Sequence, residues 1–200
     1  MNKLSLLVLL SALSLAVLPA CQQQSKPATS TPTSDDGVVT VEGSEKDKAE
    51  IADVLIMEHS CFVDREIDCW TRLWSQKTDA SWQKRRDDGT DIVYSGWNKV
   101  YPFAFNLMNN PESDTIFLVA EEVYRKPMTY FFLSEKDAVV EWWQFNGLPD
   151  KSRYQTSSER RVMTKEDGKW KVLQVISRWD IGEMLTPEMI QQYRQSGQIQ

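Results

Sequence analysis

The sequence predicts an α+β domain in which three helices from its N-terminal half pack against one face of a curved antiparallel sheet. Apolar residues mostly follow the helical period over residues 44–109, whereas from Asp114 onward they alternate with the period of two that is typical of strands. Residues 158–180 then predict two long strands joined at Glu166–Lys169, a tight turn that contains a glycine.

The N-terminus predicts an export signal. A short positive segment precedes an apolar run, Leu4–Leu18, that is too short to span a membrane. The run ends in Leu18-Pro19-Ala20-Cys21, which resembles the lipobox of bacterial lipoproteins. That resemblance implies a signal peptide over residues 1–20, a lipid anchor on Cys21 and, because Gln22 follows the cysteine, location at the outer membrane facing the periplasm. The alternative is an ordinary secretory signal with an incidental cysteine.

Residues 21–43 predict a disordered tether. They are rich in Gln, Ser, Thr and Pro and cannot bury enough apolar area to offset the entropy of ordering. A flexible chain of this length reaches roughly 25 Å, so it would hold a folded domain away from the membrane. We expect that domain over residues 44–183, with a short helix and tail over residues 184–200.

The folded part begins with two predicted helices. Ser44 is a suitable N-cap for a helix over residues 45–62, and Asp64 is the expected N-cap of a second helix over residues 65–75. Cys61 and Cys69 flank the corner between them. In an exported protein they could form a disulfide, or they could remain as two buried thiols.

A hairpin and a third helix follow. Residues 79–87 and 91–94 predict two short strands around Asp88-Gly89, a strong turn signal. Ser95-Gly96 opens the third helix, which we expect to be kinked or shortened by Pro102 and to end near residue 109.

The second half predicts strands over residues 115–125, 128–134 and 137–145, followed by the long hairpin. The last strand carries apolar residues on both faces, with Trp170, Val172 and Ile176 on one face and Leu173, Val175 and Trp179 on the other. A strand of this kind is expected to be covered twice, by helices on one side and by a tail helix or a second subunit on the other. That tail helix would be capped by Thr186 and would end in a frayed tail.

Charge and composition limit the function. A net charge of -6 and a pI near 4.9 argue against a nucleic-acid-binding surface. The single histidine, His59, has an expected capping or surface role, and its spacing to Cys, Asp and Glu residues predicts no metal site. The sequence indicates no cofactor.

Several segments together resemble the nuclear-transport-factor-2-like superfamily, in particular its SnoaL-like branch. The resemblance rests on Val63–Trp70 and Leu73-Trp74 at the second helix, Gly96-Trp97 at the third, Asp137–Val140 in a late strand, and Arg161 with Glu166–Val172 in the last hairpin. It implies a cone-shaped (cystatin-like) fold with an apolar cavity, and a homodimer formed through the outer face of the sheet. The superfamily contains isomerases, cyclases, dehydratases and proteins without catalysis, so the fold alone does not give a function.

The candidate site residues follow from that cavity. Weak catalytic candidates are Glu141 and Asp64, acting with Tyr94 or Tyr101. Glu141 is either a desolvated carboxylate or the partner of Arg160 or Arg161 in a cross-strand ion pair. The expected ligand-binding residues are Trp70, Trp74, Trp97, Tyr101, Trp142, Trp143 and Arg160.

Three functional hypotheses remain open on the sequence. The leading one is a non-catalytic, membrane-anchored domain that binds a small apolar ligand or a protein partner in the envelope. The alternatives are a SnoaL-like isomerase, cyclase or hydratase with a cavity carboxylate as general base, and a purely structural dimer.

The lipid anchor gives a first testable prediction. We expect Cys21→Ala to abolish the anchor, because this thiol is the predicted acylation site. Electrophoretic mobility with and without globomycin measures the effect: the parent chain should shift in mobility and the variant should not. An unchanged mobility on replacing Cys21 would contradict the anchor.

Overall fold

The computed structural model describes residues 43–85, 89–110, 120 and 122–200. The predicted signal peptide and nearly all of the predicted tether lie outside these residues, as does most of the predicted strand 115–125. The helices are α1 (Glu45–Val63), α2 (Ile67–Leu73), α3 (Trp97–Asn109) and α4 (Pro187–Gln195). The strands are β1 (Ser81–Arg85), β2 (Asp91–Ser95), β3 (Val123–Arg125), β4 (Thr129–Phe132), β5 (Asp137–Gly147), β6 (Tyr154–Glu166) and β7 (Lys169–Leu185). No described helix is both long and apolar enough to cross a membrane.

The described strands form a single curved sheet in the order β2-β1-β7-β6-β5-β3, with β4 also paired to β5. The predicted α+β class and the predicted hairpin of β1 and β2 are confirmed. The pairing of β1 with β7 is parallel, in contrast to the antiparallel pairs elsewhere in the sheet. Alternation of apolar residues gives no strand direction, so the sequence could not indicate this one parallel pair.

The corner between α1 and α2 differs from the prediction. Ser44 caps α1 as expected, because its hydroxyl accepts a hydrogen bond from the Asp47 amide at 3.0 Å. Asp64, however, is the C-cap of α1 and does not begin α2. The chain first reverses through Arg65, which has a left-handed φ of 61°. A disulfide between Cys61 and Cys69, with Cα atoms 5.8 Å apart, spans this corner.

Stacked aromatic rings fill the apolar core beside this corner. Trp70 and Trp74 are completely buried, and their ring centroids are 4.9 Å apart. Trp82 and Trp97 stack on Trp70 at 6.0 Å and 5.9 Å. The buried Glu58 of α1 accepts hydrogen bonds from both Trp70 Nε1 (2.8 Å) and Trp74 Nε1 (3.2 Å), so one carboxylate satisfies two buried indole donors.

The end of the long hairpin is attached to the start of α1. Asp47 accepts hydrogen bonds from Lys165 Nζ at 2.6 Å and from Trp170 Nε1 at 2.9 Å. The hydrogen bond from Lys165, followed by those from Ser44 and Trp170, lowers the pKa of Asp47 well below its usual range. This attachment fixes α1 against the inner face of the sheet.

The faces of β7 are not those that the sequence predicted. Leu173 is an extra residue, because Val162 pairs with Gln174 whereas Met163 pairs with Val172. This β-bulge exchanges the two faces, so Val175 and Trp179 join Trp170 and Val172 on the inner face. Ile176 lies on the outer face and is half-buried. The apolar pattern on both faces therefore reflects the bulge and does not require a strand covered twice.

The C-terminal residues form a second apolar cluster. Thr186 caps α4 by accepting a hydrogen bond from the Met189 amide, as predicted. The cluster consists of Phe145, Tyr154, Leu185, Ile190 and Ile199. The expectation of a frayed tail is wrong: Gln200 exchanges two backbone hydrogen bonds of 2.9 Å with Arg125 of β3. These bonds pair the last residue with an edge strand.

The carboxylate of Glu58 gives a stability prediction. Glu58→Ala leaves two buried indole donors without an acceptor at about 1–3 kcal/mol each, so we expect a loss of about 2–6 kcal/mol in the free energy of unfolding. Glu58→Gln keeps one carbonyl oxygen as acceptor and should lose about 1 kcal/mol. Urea unfolding measures both, with the exposed Asp53→Asn on the same helix as control. Equal losses for the two Glu58 variants would contradict this role.

Candidate functional site

A small cavity of about 90 Å³ lies between α1, α3 and the inner face of the sheet; we call it the inner cavity. Its lining is largely polar, although the resemblance implied an apolar cavity. The polar side chains come from α1 and four strands: His59, Lys84, Gln144, Asn146, Glu159, Arg161 and Ser177. Apolar lining residues include Trp82, Leu107 and Trp179. Three of the tryptophans expected to line an apolar cavity, Trp70, Trp74 and Trp97, instead fill the neighbouring core.

Glu159 of β6 is the central acid of the inner cavity and is only 4% exposed. Its Oε1 accepts a hydrogen bond from Ser157 at 2.7 Å. Its Oε2 accepts from Ser177 at 2.6 Å and from Arg161 Nη1 at 2.8 Å. A buried carboxylate needs such donors and an adjacent cation to remain charged. The acid is therefore held in place by three neighbours on two strands.

A chain of amide side chains extends this network along β5. Asn146 donates to Ser157 Oγ at 2.9 Å, and Gln144 donates to Asn146 Oδ1 at 2.7 Å. The oxygen of Gln144 in turn accepts from Trp142 Nε1 at 3.2 Å and from Arg125 Nε at 3.3 Å. Alternate residues of β5 point to one face, so residues 142, 144 and 146 form a continuous polar row.

Arg161 is positioned from two sides. Its guanidinium lies over the ring of Trp142 at 5.0 Å, and its side chain is 11% exposed. Besides Glu159, its Nη1 also donates to the carbonyl of Arg160 at 3.2 Å. The buried Nε has no hydrogen-bond partner among the described residues. Among the described residues, few buried side-chain nitrogen or oxygen atoms lack a hydrogen-bond partner in this way.

His59 and Lys84 complete the polar lining. Burial lowers the pKa of His59 to about 4, and the nearby charges of Arg125 and Arg161 act in the same direction. The imidazole is therefore neutral at pH 7, which differs from the surface or capping role that the sequence indicated. Lys84 of β1 is buried to 7% exposure, with Nζ 4.4 Å from the centre of the Trp179 ring.

A second depression of about 560 Å³ lies on the outer face of the sheet; we call it the outer groove. Glu141 and Arg160 meet there in a cross-strand ion pair of 3.2 Å, with side chains 45% and 52% exposed. The structure therefore shows the ion pair and not the desolvated carboxylate. Trp143 lines the groove and is half-exposed.

The remaining sequence candidates do not converge on one site. Trp70 and Trp74 are completely buried in the core and present no surface to a ligand. Trp97 packs against both of them, and Tyr101 packs on Trp97 at 5.7 Å.

The other catalytic candidates also lie apart. Tyr94 stacks on Phe103 at 3.9 Å, and Asp64 is exposed at the end of α1. Neither residue lines the inner cavity or the outer groove. Among the candidates, Trp142 alone belongs to the polar network of the inner cavity, through its bond to Gln144.

Sequence reasoning missed most of the inner cavity. Ser157, Glu159 and Arg161 alternate along β6 and share one face, but polar alternation of this kind is also typical of a solvent-exposed strand face. A signal was present in Trp142-x-Gln144-x-Asn146, which repeats the pattern on a strand with apolar neighbours. His59 could not be assigned, because its partners come from distant strands.

One group of potential metal ligands occurs among the described residues, formed by Cys61, Glu66 and Cys69. Both cysteines are joined in the disulfide. A bridged sulfur is not a thiolate ligand, so the chemistry of this donor set does not fit a metal ion.

Comparison with known proteins identifies the fold. The sequence matches no family model and no curated protein. A nuclear-transport-factor-2-like protein of unknown function from Pseudomonas putida KT2440 is 14% identical, with 73% of this chain and 98% of that chain covered and a TM-score of 0.55. A cystatin-like-fold protein of unknown function from Nostoc punctiforme is 11% identical, covering 71% and 97%, with a TM-score of 0.53.

An enzyme also occurs among the similar structures. Hexachlorocyclohexane dehydrochlorinase LinA-type3 from Novosphingobium barchaimii LL02 is 16% identical, with 71% and 92% covered and a TM-score of 0.48. At these identities the likeness concerns the fold alone. The chain has the nuclear-transport-factor-2-like, or cystatin-like, fold, and the fold that the sequence resemblance implied is confirmed.

The neutral His59 predicts a pH dependence of stability. Its pKa is about 4 in the folded protein against an ordinary 6.5, so between these values the unfolded chain binds more protons. Stability is therefore fully present above pH 6.5 and falls as the pH is lowered towards 4, with a loss of about 2 kcal/mol between pH 7 and pH 5.

Urea unfolding of the parent chain and of His59→Asn at both pH values isolates this contribution, because the other titrating groups are common to both proteins. The variant should lose less stability than the parent on acidification. Identical losses in the two proteins would contradict a partly buried, neutral imidazole at His59.

Proposed function

We propose that this protein is a lipid-anchored envelope protein whose cone domain binds a small polar molecule in the inner cavity without transforming it. The observation that supports this most directly is the polar network around Glu159 and Arg161, which borders open space within the domain. Buried polar groups cost free energy in a purely structural core, where apolar packing would be at least as stable. Their concentration around a cavity favours recognition of a ligand.

The hydrogen bonding of Glu159 supports binding over catalysis. A general base needs a lone pair that can reach the proton of the substrate. Three of the about four acceptor positions of Glu159 already accept hydrogen bonds, from Ser157, Ser177 and Arg161, which restricts its access to a substrate proton. This arrangement suits a carboxylate that holds the Arg161 side chain in position at the cavity.

The size of the cavity limits the ligand. A volume of about 90 Å³ is room for a few water molecules only. Typical cofactor and drug-sized sites occupy about 300–1,000 Å³. A ligand of a few non-hydrogen atoms, or one such group of a longer molecule, fits this space.

An enzymatic function is the alternative, and His59 favours it. A neutral imidazole lines the same cavity as Glu159 and has the protonation state of a general base. It would serve an isomerase, cyclase or hydratase that begins with removal of a proton next to a carbonyl group.

The anchor and the outer face complete the proposal. Cys21 and the tether would place the domain in the envelope, at the outer membrane facing the periplasm. The exposed Trp143 and the Glu141–Arg160 pair lie on the outer face and suit contact with a second copy of the chain. Sedimentation velocity of the domain tests this homodimer, and a monomer at high micromolar concentration would argue against it.

Two-carbon probes test binding in the inner cavity. We expect acetate or acetamide to change the tryptophan fluorescence saturably, because Trp82 and Trp179 line the cavity. Leu107→Phe enlarges a buried lining side chain and should abolish this response by filling the space. Leu133→Phe, at an exposed position, is the matched control. A response unaffected by Leu107→Phe, or no response to either probe, would contradict the proposal.

Acetone in deuterated water separates binding from catalysis. The enzymatic alternative requires protein-dependent exchange of the acetone hydrogens, followed by NMR, and loss of that exchange in His59→Asn. The binding proposal expects no exchange above the buffer rate.

A further inference from the structure

We infer that Arg125 is a positioning residue of the inner cavity and that the C-terminal residues hold it in place. Arg125 is not among the lining residues, so it acts through the side chains that are. Three observations support the inference: a chain of hydrogen bonds from Arg125 to Glu159, the short strand that carries Arg125, and the pairing of that strand with Gln200. The inference rests on the proposed function, because it concerns the site at which the ligand would bind.

The chain of hydrogen bonds joins Arg125 to the central acid of the cavity. Arg125 Nε donates to Gln144 Oε1 at 3.3 Å, and Gln144 donates to Asn146 Oδ1 at 2.7 Å. Asn146 donates to Ser157 Oγ at 2.9 Å, and Ser157 donates to Glu159 Oε1 at 2.7 Å. Every donor in the chain therefore points from a cation towards an anion, and hydrogen bonds aligned in this way strengthen one another.

The cation at the start of the chain favours one orientation of the amide groups. Rotating an amide by half a turn exchanges its oxygen and its nitrogen. A guanidinium can only donate, so it requires the oxygen of Gln144 on its side and leaves the nitrogen facing Asn146. Trp142 Nε1 donates to the same oxygen and acts in the same direction. Because Gln144 and Asn146 line the cavity, their orientation decides which polar atoms a ligand would meet.

The backbone of Arg125 is held on both sides. β3 has only three residues, and on one side it pairs with β5, where Arg125 lies opposite Gln144. On the other side, Arg125 exchanges two backbone hydrogen bonds of 2.9 Å with Gln200. The neighbouring Ile199 is buried in the C-terminal cluster and anchors this pairing. A strand of three residues has few bonds of its own, so its position depends on the pairing with Gln200.

Arg125 also acts on the cavity through its charge, and His59 reports this effect. Burial lowers the pKa of His59 most, and the charge of Arg125 lowers it further. Because the chain contains a single histidine, an NMR titration of its imidazole has no overlapping signal. The charged side chains around this imidazole are Glu58, which precedes it on α1, Arg125 of β3, and the lining residues Lys84, Glu159 and Arg161.

Arg125→Met removes the charge and the donor while keeping an unbranched apolar side chain. We expect the pKa of His59 to rise by about 0.5 or more. The indole N–H resonance of Trp142 should also shift, because this group shares an acceptor with Arg125. Lys126→Met is the matched control: it removes a cation from the next residue, which lines the outer groove, and should change neither signal. Arg125→Lys keeps the charge and should return the pKa of His59 towards the parent value.

A pair of substitutions at Gln200 tests the role of the C-terminal residues. Gln200→Pro removes the N–H that donates to the carbonyl oxygen of Arg125, whereas Gln200→Ala keeps it. The proline variant should move both NMR signals in the same direction as Arg125→Met, and the alanine variant should move neither. Gln200 is exposed, so neither substitution disturbs the core, and thermal unfolding verifies that each variant folds.

Binding of acetamide, followed by tryptophan fluorescence, connects the positioning to the cavity. We expect Arg125→Met to weaken this binding about fivefold, because the amide row loses a hydrogen bond that orients it, and Lys126→Met to leave it unchanged.

The outcomes separate the inference from the proposed function. Unmoved signals of His59 and Trp142 in Arg125→Met, or an unchanged affinity for acetamide, overturn the inference. Signals that move in Arg125→Met but stay at the parent values in Gln200→Pro overturn the role of the C-terminal residues. Signals that move as expected in a chain that binds neither acetamide nor acetate contradict the proposed function and support the positioning of the polar row by Arg125.

Discussion

The single extra residue at Leu173 determines how this domain is organised. Without the bulge, Trp170 and Val172 could not share the inner face of β7 with Val175, because strict alternation would place them on opposite sides. The bulge lets an apolar half and a polar half of one long hairpin face the same helices. The core and the inner cavity are thus consecutive parts of a single surface.

The two halves of that surface are stabilised by different interactions. In the apolar half, stacked tryptophans fill the space, and the buried Glu58 satisfies two of their donors. In the polar half, Glu159 and Arg161 form an ion pair that lines the inner cavity. A buried ion pair contributes little net stability because desolvation offsets its attraction. Its clearest structural effect is on position, because it holds the Arg161 guanidinium beside the inner cavity.

The sequence predicted the helices, the hairpins and the fold class, because these depend on local period and on turn chemistry around residues such as Gly168. It did not predict the inner cavity. Ser157 and Glu159 become buried because β6 lies between β7 and β5 in the sheet, and this arrangement depends on tertiary contacts that the local pattern does not encode. The bulge at Leu173 also cannot be located from the alternation, because adjacent apolar residues occur both at Val172-Leu173 and at Val175-Ile176. Asp64 shows a different limit of local signals. Its side chain is typical of a residue that begins a helix, but in the structure it ends α1.

The stacked indoles also have an optical consequence. Trp82 lines the inner cavity and stacks at 6.0 Å on both Trp70 and Trp74 in the core. Rings this close exchange excitation energy, so light absorbed deep in the domain can migrate to the ring at the cavity wall. A change in the surroundings of Trp82 would then alter the fluorescence emission of several tryptophans at once. The core tryptophans Trp70 and Trp74 can therefore transfer absorbed light energy to Trp82 at the cavity wall.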